Sequence, residues 1–317
     1  MVPVGADTRS PWRRGGDRIV YAALRGVWAL LAAAGPELAR TLLEGLAAAF
    51  ARLDRRHRRV VADNLRLAFP DMDSVVRDEV VAASFRNWGR LIAEAVHADF
   101  FIEKARLDPD WKSVAAAVAE GREGGRGLLL LTAHTGNFEM LARIFGSLVA
   151  PVAVFHRPLG TSEVDDFLVR ERRRCGVVTL GRGAAVRDAL RILAAGGCVA
   201  LPLEQNQREG RGIFVDVLGH PACTSTVLAR LSLAAGVPVL PVFAVWGGEG
   251  IRPVVSELVA APTAVRGSAA REALIRTLTE RYAAEIDRVV RRFPHQWNWA
   301  HRRWKTRPDS VPPPTRE

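Results

Sequence analysis

Three cysteines in 317 residues are too few for a disulfide framework. Cys175, Cys198 and Cys223 are also too scattered for a zinc site. They read as small buried apolar side chains in a chain suited to a reducing cytoplasm. Lysine is nearly absent too: only Lys104, Lys112 and Lys305 occur, so the net charge of +11 is carried almost wholly by arginine. Such a balance fits nucleic acid, an anionic membrane or an acidic substrate. There is no zinc-finger spacing and no aromatic RNA-binding signature, which sets nucleic acid aside. The basic residues are mixed with apolar helices, which favours an anionic membrane surface and an acidic lipid. No uninterrupted apolar run reaches the ~20 residues of a comfortable membrane span, and no clear signal-peptide cleavage site follows the first apolar segment. The chain has no G-x-S-x-G serine elbow. The glycines of Gly121–Gly127 are not a phosphate loop, because they lack the Gly-Lys-Ser/Thr ending and precede a strand rather than follow one.

About half of the residues, 49%, are hydrophobic, enough for a sizeable core. Residues 1–16 are polar and read as a flexible arm. Residues 17–120 form a helical N-terminal region. Arg18–Ala34 is an apolar helix interrupted by Arg25 and stopped by Gly35–Pro36; it is expected to lie in a membrane interface or to insert as a single span. Glu37–Phe50 is a second amphipathic helix. Arg52–Arg59, RLDRRHRR, is a solvated basic face or a contact for anionic headgroups, with His57 at the surface. The helix continues to Pro70, and Asp73–Phe101 carries Phe85, Trp88, Leu91, Ile92 and Val96 along one side. Residues 121–308 alternate strands with helices, which predicts an α/β core with a mostly parallel central sheet flanked by helices. The expected strands are Leu128–Leu131, Pro151–Phe155, Val177–Leu180, Cys198–Pro202, Ile213–Val217, Val237–Val245 and Ile251–Val259. With no long linker and no repeat, the core and the preceding helices make one domain. Residues 309–317 form a disordered tail.

The chain is organised around Leu128–Arg143, LLLLTAHTGNFEMLAR. An apolar strand ends at His134, and a helix begins near Asn137, a good N-cap, with Glu139 in its first turn. Strand ends that open into helices are where α/β proteins place their chemistry. A hydroxyl is a weak nucleophile at neutral pH. A histidine can take its proton if a carboxylate on the other ring nitrogen fixes the tautomer and stabilises the imidazolium. His134 and Glu139, five residues apart across the corner, are the candidate pair. The helix N-terminus favours an ionised Glu139. With no G-x-S-x-G serine elbow in the chain, the hydroxyl is expected to come from a substrate, which makes the expected reaction acyl transfer. Water in its place would make a thioesterase-like hydrolase, and a silent site would leave a membrane-binding protein.

AHTGNFEML resembles the catalytic motif of the bacterial lipid A late acyltransferases, the lauroyl/myristoyl transferase family. These are similar to the wider glycerolipid acyltransferases, which carry His-x-x-x-x-Asp where the lipid A branch commonly has Glu. Four further segments resemble the family in order: RRVVADNLRLAFP (Arg58–Pro70), FHRPL (Phe155–Leu159), LEQNQREGRGIFVDVLGHPACTST (Leu203–Thr226) and FPHQWNWAHRRWKTRP (Phe293–Pro308). The resemblance implies a glycerolipid-acyltransferase-like fold with an N-terminal membrane-associating extension at the cytoplasmic face of the inner membrane. It implies transfer of a fatty acyl chain from an acyl carrier protein thioester to a hydroxyl of a lipid A precursor, with His134 as general base and Glu139 as its partner. The acyl donor is already activated, so no metal or cofactor is called for. Another glycolipid of the phosphatidylinositol-mannoside type is the alternative acceptor, although the related enzymes usually carry Asp in the Glu139 position.

Further candidates sit at other strand ends. Arg157 suits a phosphate, on the acceptor sugar or the phosphopantetheine arm. His156 stands where the family tends to an aromatic. Glu204, Gln205 and Asn206 form a turn or a substrate-contacting loop; the family usually has Asp in the Glu204 position. Asn137, Arg157, Glu204 and Gln205 are the expected substrate contacts. Thr224 and Ser225 are expected to begin a helix, and His220 to sit in a turn. Trp297, Trp299, His301, Arg302, Arg303, Trp304 and Lys305 suit either a membrane interface or a structural clasp of indoles against the sheet.

Overall fold

The computed structural model describes residues 11–308 apart from 150, 157–161, 182, 249 and 264. Six helices lead the chain: α1 (Pro11–Ala34), α2 (Pro36–Leu53), α3 (Arg55–Ala68), α4 (Ser74–Val96), α5 (Ala98–Leu107) and α6 (Pro109–Gly121). Helix α1 starts at Pro11 and so takes in the last six residues assigned to a flexible arm; proline suits the first helical position because its missing N–H would go unpaired there. Residues 1–10 of that arm and the tail 309–317 lie outside the described residues. The apolar stripe over Asp73–Phe101 is divided at His97, where α4 hands over to α5. The sequence reading passed over α6. Asp54, Asp73 and Asp108 each cap the helix that follows by accepting a backbone N–H.

Strands and helices then alternate: β1 (Leu128–Thr132), α7 (Phe138–Val149), β2 (Val152–Phe155), α8 (Ser162–Arg174), β3 (Val177–Leu180), α9 (Ala185–Ala194), β4 (Cys198–Pro202), β5 (Ile213–Val217), β6 (His220–Thr224), α10 (Val227–Ala235), β7 (Val239–Gly247), β8 (Gly250–Val255) and α11 (Ser268–Arg292). The main sheet has the order β3-β2-β4-β1-β7-β8, parallel except for β8. The predicted α/β class with a mostly parallel sheet is therefore what forms. β5 and β6 make a separate antiparallel hairpin. Thr224 ends β6 instead of starting a helix, and His220 begins that strand, its ring bonded to the Leu67 carbonyl. Ser225 accepts from Val227 N and so does assist the start of α10.

The strand period of two sorts the core into layers. Leu129 and Leu131 of β1, Val199 and Leu201 of β4, and Phe243 and Val245 of β7 face one layer, which holds α9, α10, α11 and the C-terminal tryptophans. Leu128, Leu130, Cys198, Ala200, Val242 and Ala244 face the other, filled by α5, α6 and α7. Central strands buried on both faces need continuous apolar runs, which is why β1 reads LLLL without alternation. All three cysteines are free and buried.

The last segment is a clasp. Trp297, Trp299 and Trp304 are buried, with Trp297 edge-on to Trp299 at 4.5 Å. Asn64 of α3 donates to the carbonyls of Trp299 and His301 at 2.8 Å each, tying the N-terminal helices to the tail. Truncating a fully buried tryptophan such as Trp299 costs about 3–5 kcal/mol. Helix α2 docks closely on α4: a Cβ on Gly89 would come within 2.3 Å of the Leu43 carbonyl oxygen.

Candidate active site

β1 lies at the switch of the strand order, between β4 and β7, with its successor β2 beyond β4. Ligands of open α/β sheets bind beyond the carboxyl ends of the strands at such a point. In the β1–β4 ladder Thr132 faces Pro202. Two residues further along, side by side past the two strand ends, come His134 and Glu204. Their side chains meet: Glu204 Oε1 is 2.5 Å from His134 Nδ1 and accepts the His134 backbone N–H at 2.6 Å. An oxygen already accepting that N–H is an acceptor for the ring as well, so Nδ1 carries the proton. Nε2 then keeps its lone pair, and it has no partner among the described residues. Glu204 is 4% exposed and the His134 side chain 19%, so the ring alone reaches solvent. Burial opposes charge on both groups, but each supports the other: the carboxylate raises the His134 pKa above 6.5, and His134 holds Glu204 below the usual glutamate value.

The expected partner, Glu139, is elsewhere. Its position in the first turn of α7 sends the carboxylate toward Arg143, one helical turn on, and toward Arg172 of α8. Arg172 donates at 2.7 and 3.0 Å, and Arg143 at 3.1 and 3.2 Å. Burial would push this carboxyl up; the two guanidinium groups outweigh it and hold it at about 2. The pairing of His134 with Glu139 is thus corrected to His134 with Glu204, and Glu139 becomes a tie between α7 and α8.

Asn137, an expected substrate contact, faces inward. It is fully buried, its Oδ1 caps Met140 N at 2.9 Å, and its amide donates to Glu94 of α4 at 2.6 Å. Glu94 also accepts from Trp246 Nε1 at 2.8 Å and from Arg90 Nε at 2.8 Å. The turn is fixed from all sides. Asn298 N donates to the His134 carbonyl, Gly136 N to Gln296 O, and Asn137 N to Ala244 O, each within 3.0 Å. Phe138 packs edge-on against the His134 ring at 4.6 Å. Gly136 has φ +51°, and a Cβ there would lie 2.0 Å from Ala244 O. Of the remaining candidates, Gln205 is exposed beside the pair and free to meet a ligand. Arg157 lies outside the described residues. His156 Nδ1 sits 3.2 Å from Arg172 Nη1, in the network behind Glu139. His301 Nε2 accepts Asn206 N at 2.8 Å, and burial lowers the ring's pKa below the usual histidine value. Arg303 is buried and donates to Cys223 O and Thr224 Oγ1. Sequence reasoning missed the part played by Glu204 and the whole of Glu94; only the β1–β4 register brings the first of these to the histidine.

A buried carboxylate against a histidine whose other ring nitrogen has no partner among the described residues, at the mouth of a parallel sheet, can take up and release a proton, and the proteins this chain resembles are named acyltransferases: the chain is an acyltransferase. The family model described as bacterial lipid A biosynthesis acyltransferase matches residues 16–306, and the chain belongs to that family. It is 27% identical over 278 residues to the lipid A biosynthesis lauroyltransferase of Escherichia coli K12, covering 84% of this chain and 85% of that one. It is 26% identical over 261 residues to the lipid A biosynthesis palmitoleoyltransferase of the same organism, covering 80% of each. Among solved structures it is loosely similar to the 1-acyl-sn-glycerophosphate acyltransferase PlsC of Thermotoga maritima, with TM-score 0.33, 15% identity, and coverage of 80% of this chain and 98% of that one.

Proposed function

We propose that this protein transfers a fatty acyl chain from an acyl carrier protein thioester to a hydroxyl of a lipid A precursor, with His134 as general base and Glu204 as the carboxylate that orients it. The observation that carries the reading is the short contact of His134 Nδ1 with Glu204, which leaves Nε2 without a partner among the described residues. Nε2 takes the proton of the acceptor hydroxyl as its oxygen attacks the thioester carbonyl. The tetrahedral intermediate collapses, the C–S bond breaks, and the leaving thiolate takes the proton from Nε2–H. Glu204, ionised throughout, stabilises the imidazolium in between. Gln205 and Arg157 are the proposed substrate contacts.

The acceptor is a membrane lipid, and the exposed surface of the N-terminal helices suits one. Leu38, Leu42, Leu46, Phe50 and Leu53 run down one side of α2 at helical spacing, 52–80% exposed, beside Val27 and Leu30 of α1. A patch of that kind marks an interaction surface. The exposed arginines Arg52, Arg55, Arg56, Arg58 and Arg59 border it. No helix among the described residues is long and apolar enough to cross a membrane. The exposed apolar side of α2 with its flanking arginines supports the reading that the chain associates with the interface of the inner membrane, at its cytoplasmic face.

The test is a transfer assay with labelled acyl carrier protein thioesters of several lengths and a Kdo-bearing lipid A precursor. Wild type forms a new ester, and His134→Ala and Glu204→Gln lose it. Release of free fatty acid alone would reassign the site to hydrolysis. Full activity in Glu204→Gln would remove Glu204 from the mechanism.

A further inference from the structure

While His134 is a neutral base, Glu204 is a buried negative charge, 4% exposed, with no ion pair. Its second oxygen, Oε2, has no partner among the described residues. A carboxylate in that position takes up a proton unless a positive charge lies close. The C-terminal segment supplies one. Arg303 is 1% exposed, and its Nη1 donates at 3.0 Å to the Cys223 carbonyl. The same oxygen accepts Gln207 N at 3.0 Å, three residues beyond Glu204. Nη2 donates to Thr224 Oγ1, and Nε has no partner among the described residues. The guanidinium is thus tied to neutral acceptors beside the Glu204 segment, and among the described residues no carboxylate forms an ion pair with it. Burial draws Arg303 down to about 10, and of the charges that hold it up Glu204 is the largest, ahead of Asp287.

The other groups around the pair bring no second cation. His301 accepts Asn206 N at Nε2, which an imidazolium could not do. Burial pushes the Cys223 thiol up, so it stays protonated at neutral pH. Asp287 of α11 is the other anion near Arg303. Its Oδ2 accepts Leu218 N at 2.7 Å, burial pushes it up to about 6, and exposed Asp216 and Arg291 lie near it. The same segment also holds the Glu204 loop in place: Thr306 Oγ1 donates to Gln207 O at 2.7 Å, and Thr306 N to Asn206 Oδ1 at 3.2 Å.

We infer that Arg303 is a positioning residue for the reaction: its buried guanidinium is the counter-charge that keeps Glu204 ionised while His134 is neutral. It rests on the His134–Glu204 reading of the site and acts through Glu204 without touching substrate. The pair has a charge of about −1 when ready to accept a proton and about zero once it has done so. A nearby positive charge favours the first state, so removing it raises the pH at which the pair takes its proton. A purely structural role predicts the opposite. A loosened loop would weaken the Glu204 contact and lower that pH, as Glu204→Gln does.

The test follows the His134 ring by NMR in the full chain with labelled histidine, its signal assigned with His134→Ala, beside the pH profile of kcat/KM in the transfer assay. In Arg303→Met the His134 midpoint moves up. On the acid side of the profile kcat/KM falls roughly tenfold and recovers as pH rises, the size expected for loss of a neighbouring opposite charge. Arg303→Lys keeps the charge, titrates near wild type and restores the acid-side activity. A midpoint that stays or moves down in Arg303→Met, or moves equally far in Arg303→Lys, would overturn the proposal. Asp287→Asn removes the other anion near Arg303 and keeps the test open where Arg303→Met does not fold. Its midpoint is expected to move down, and one that stays or rises counts against the counter-charge. The ring titration needs no substrate. Full transfer activity in Glu204→Gln would sink the reading of the site, while the titration still reports on Arg303.

Discussion

At the scale of residues, two glutamates divide the work that one was expected to do. Glu204 faces the histidine and sets its chemistry; Glu139 faces two arginines and holds helices together. Their variants should therefore fail differently. Because Glu204 raises the His134 pKa, the histidine of the native enzyme becomes a free base only as pH climbs past a value above 6.5. The acidic limb of kcat/KM is expected there. In Glu204→Gln the limb moves to lower pH while the plateau falls by about 10²–10⁴, the usual worth of oriented acid–base catalysis; a pH–rate profile of both proteins checks it. Glu139→Gln should behave as a stability variant. Its folded pKa of about 2 lies below the unfolded 4.5, so its contribution is complete above pH 4.5 and is lost as pH falls toward 2. That contribution is roughly 3 kcal/mol. Removing the carboxylate also leaves Arg143, 1% exposed, buried without its partner. Thermal unfolding followed from pH 7 down to pH 3 should show a lower Tm for Glu139→Gln at neutrality and a gap to wild type that narrows with acid. A gap that stays constant would mean the carboxylate carries no stabilising charge.

At the scale of elements, the turn between β1 and α7 is the part most tightly specified. Gly136 sits at positive φ with Ala244 O where a Cβ would go, so Gly136→Ala must either strain the backbone or push β7 aside. Both move His134, and the expected outcome is loss of transfer activity with a lowered Tm. Activity at wild-type level would show that β7 yields at no cost. Much of this element was legible in the sequence: the LLLL strand, the histidine at its end, the Asn137 cap and the helix after it all follow from local patterns. The histidine's partner was not. It comes from 70 residues away, through the parallel register that aligns Thr132 with Pro202, and no local spacing encodes that pairing. His134 and Glu139 are near in sequence, but a helix turns its first-turn side chains according to its own neighbours, and here Arg143 one turn on claims the carboxylate. Glu94 was equally hidden: on α4 its legible partner is Arg90 four residues earlier, and only packing against the turn and β7 adds Asn137 and Trp246 as donors. The β5–β6 hairpin was half seen, because His220–Thr224 holds a proline and a cysteine and lacks the alternation that marked Ile213–Val217.

At the scale of the whole molecule, the two ends of the chain have opposite fates. The C-terminal aromatic and cationic segment, which in composition suits a membrane surface, turns inward: three of its tryptophans are buried and its backbone braces the His134 turn. The N-terminal helices keep their apolar side outward. Leu42 and Leu46 are 53% and 66% exposed in the middle of the α2 stripe, so the folded protein gains little from their partial burial. A membrane would, at about 25 cal/mol for each Å² of apolar surface covered. Replacing both by aspartate should therefore leave Tm and secondary structure near those of wild type while weakening vesicle binding by two orders of magnitude or more. Transfer to a soluble, short-chain acceptor should persist and transfer to an acceptor held in vesicles should fall. These measurements separate the surface from the site. If the variant lost activity on both acceptors with its fold intact, the stripe would belong to the catalytic machinery, and if it floated with vesicles like wild type, some other face of the protein would be the one that meets the lipid.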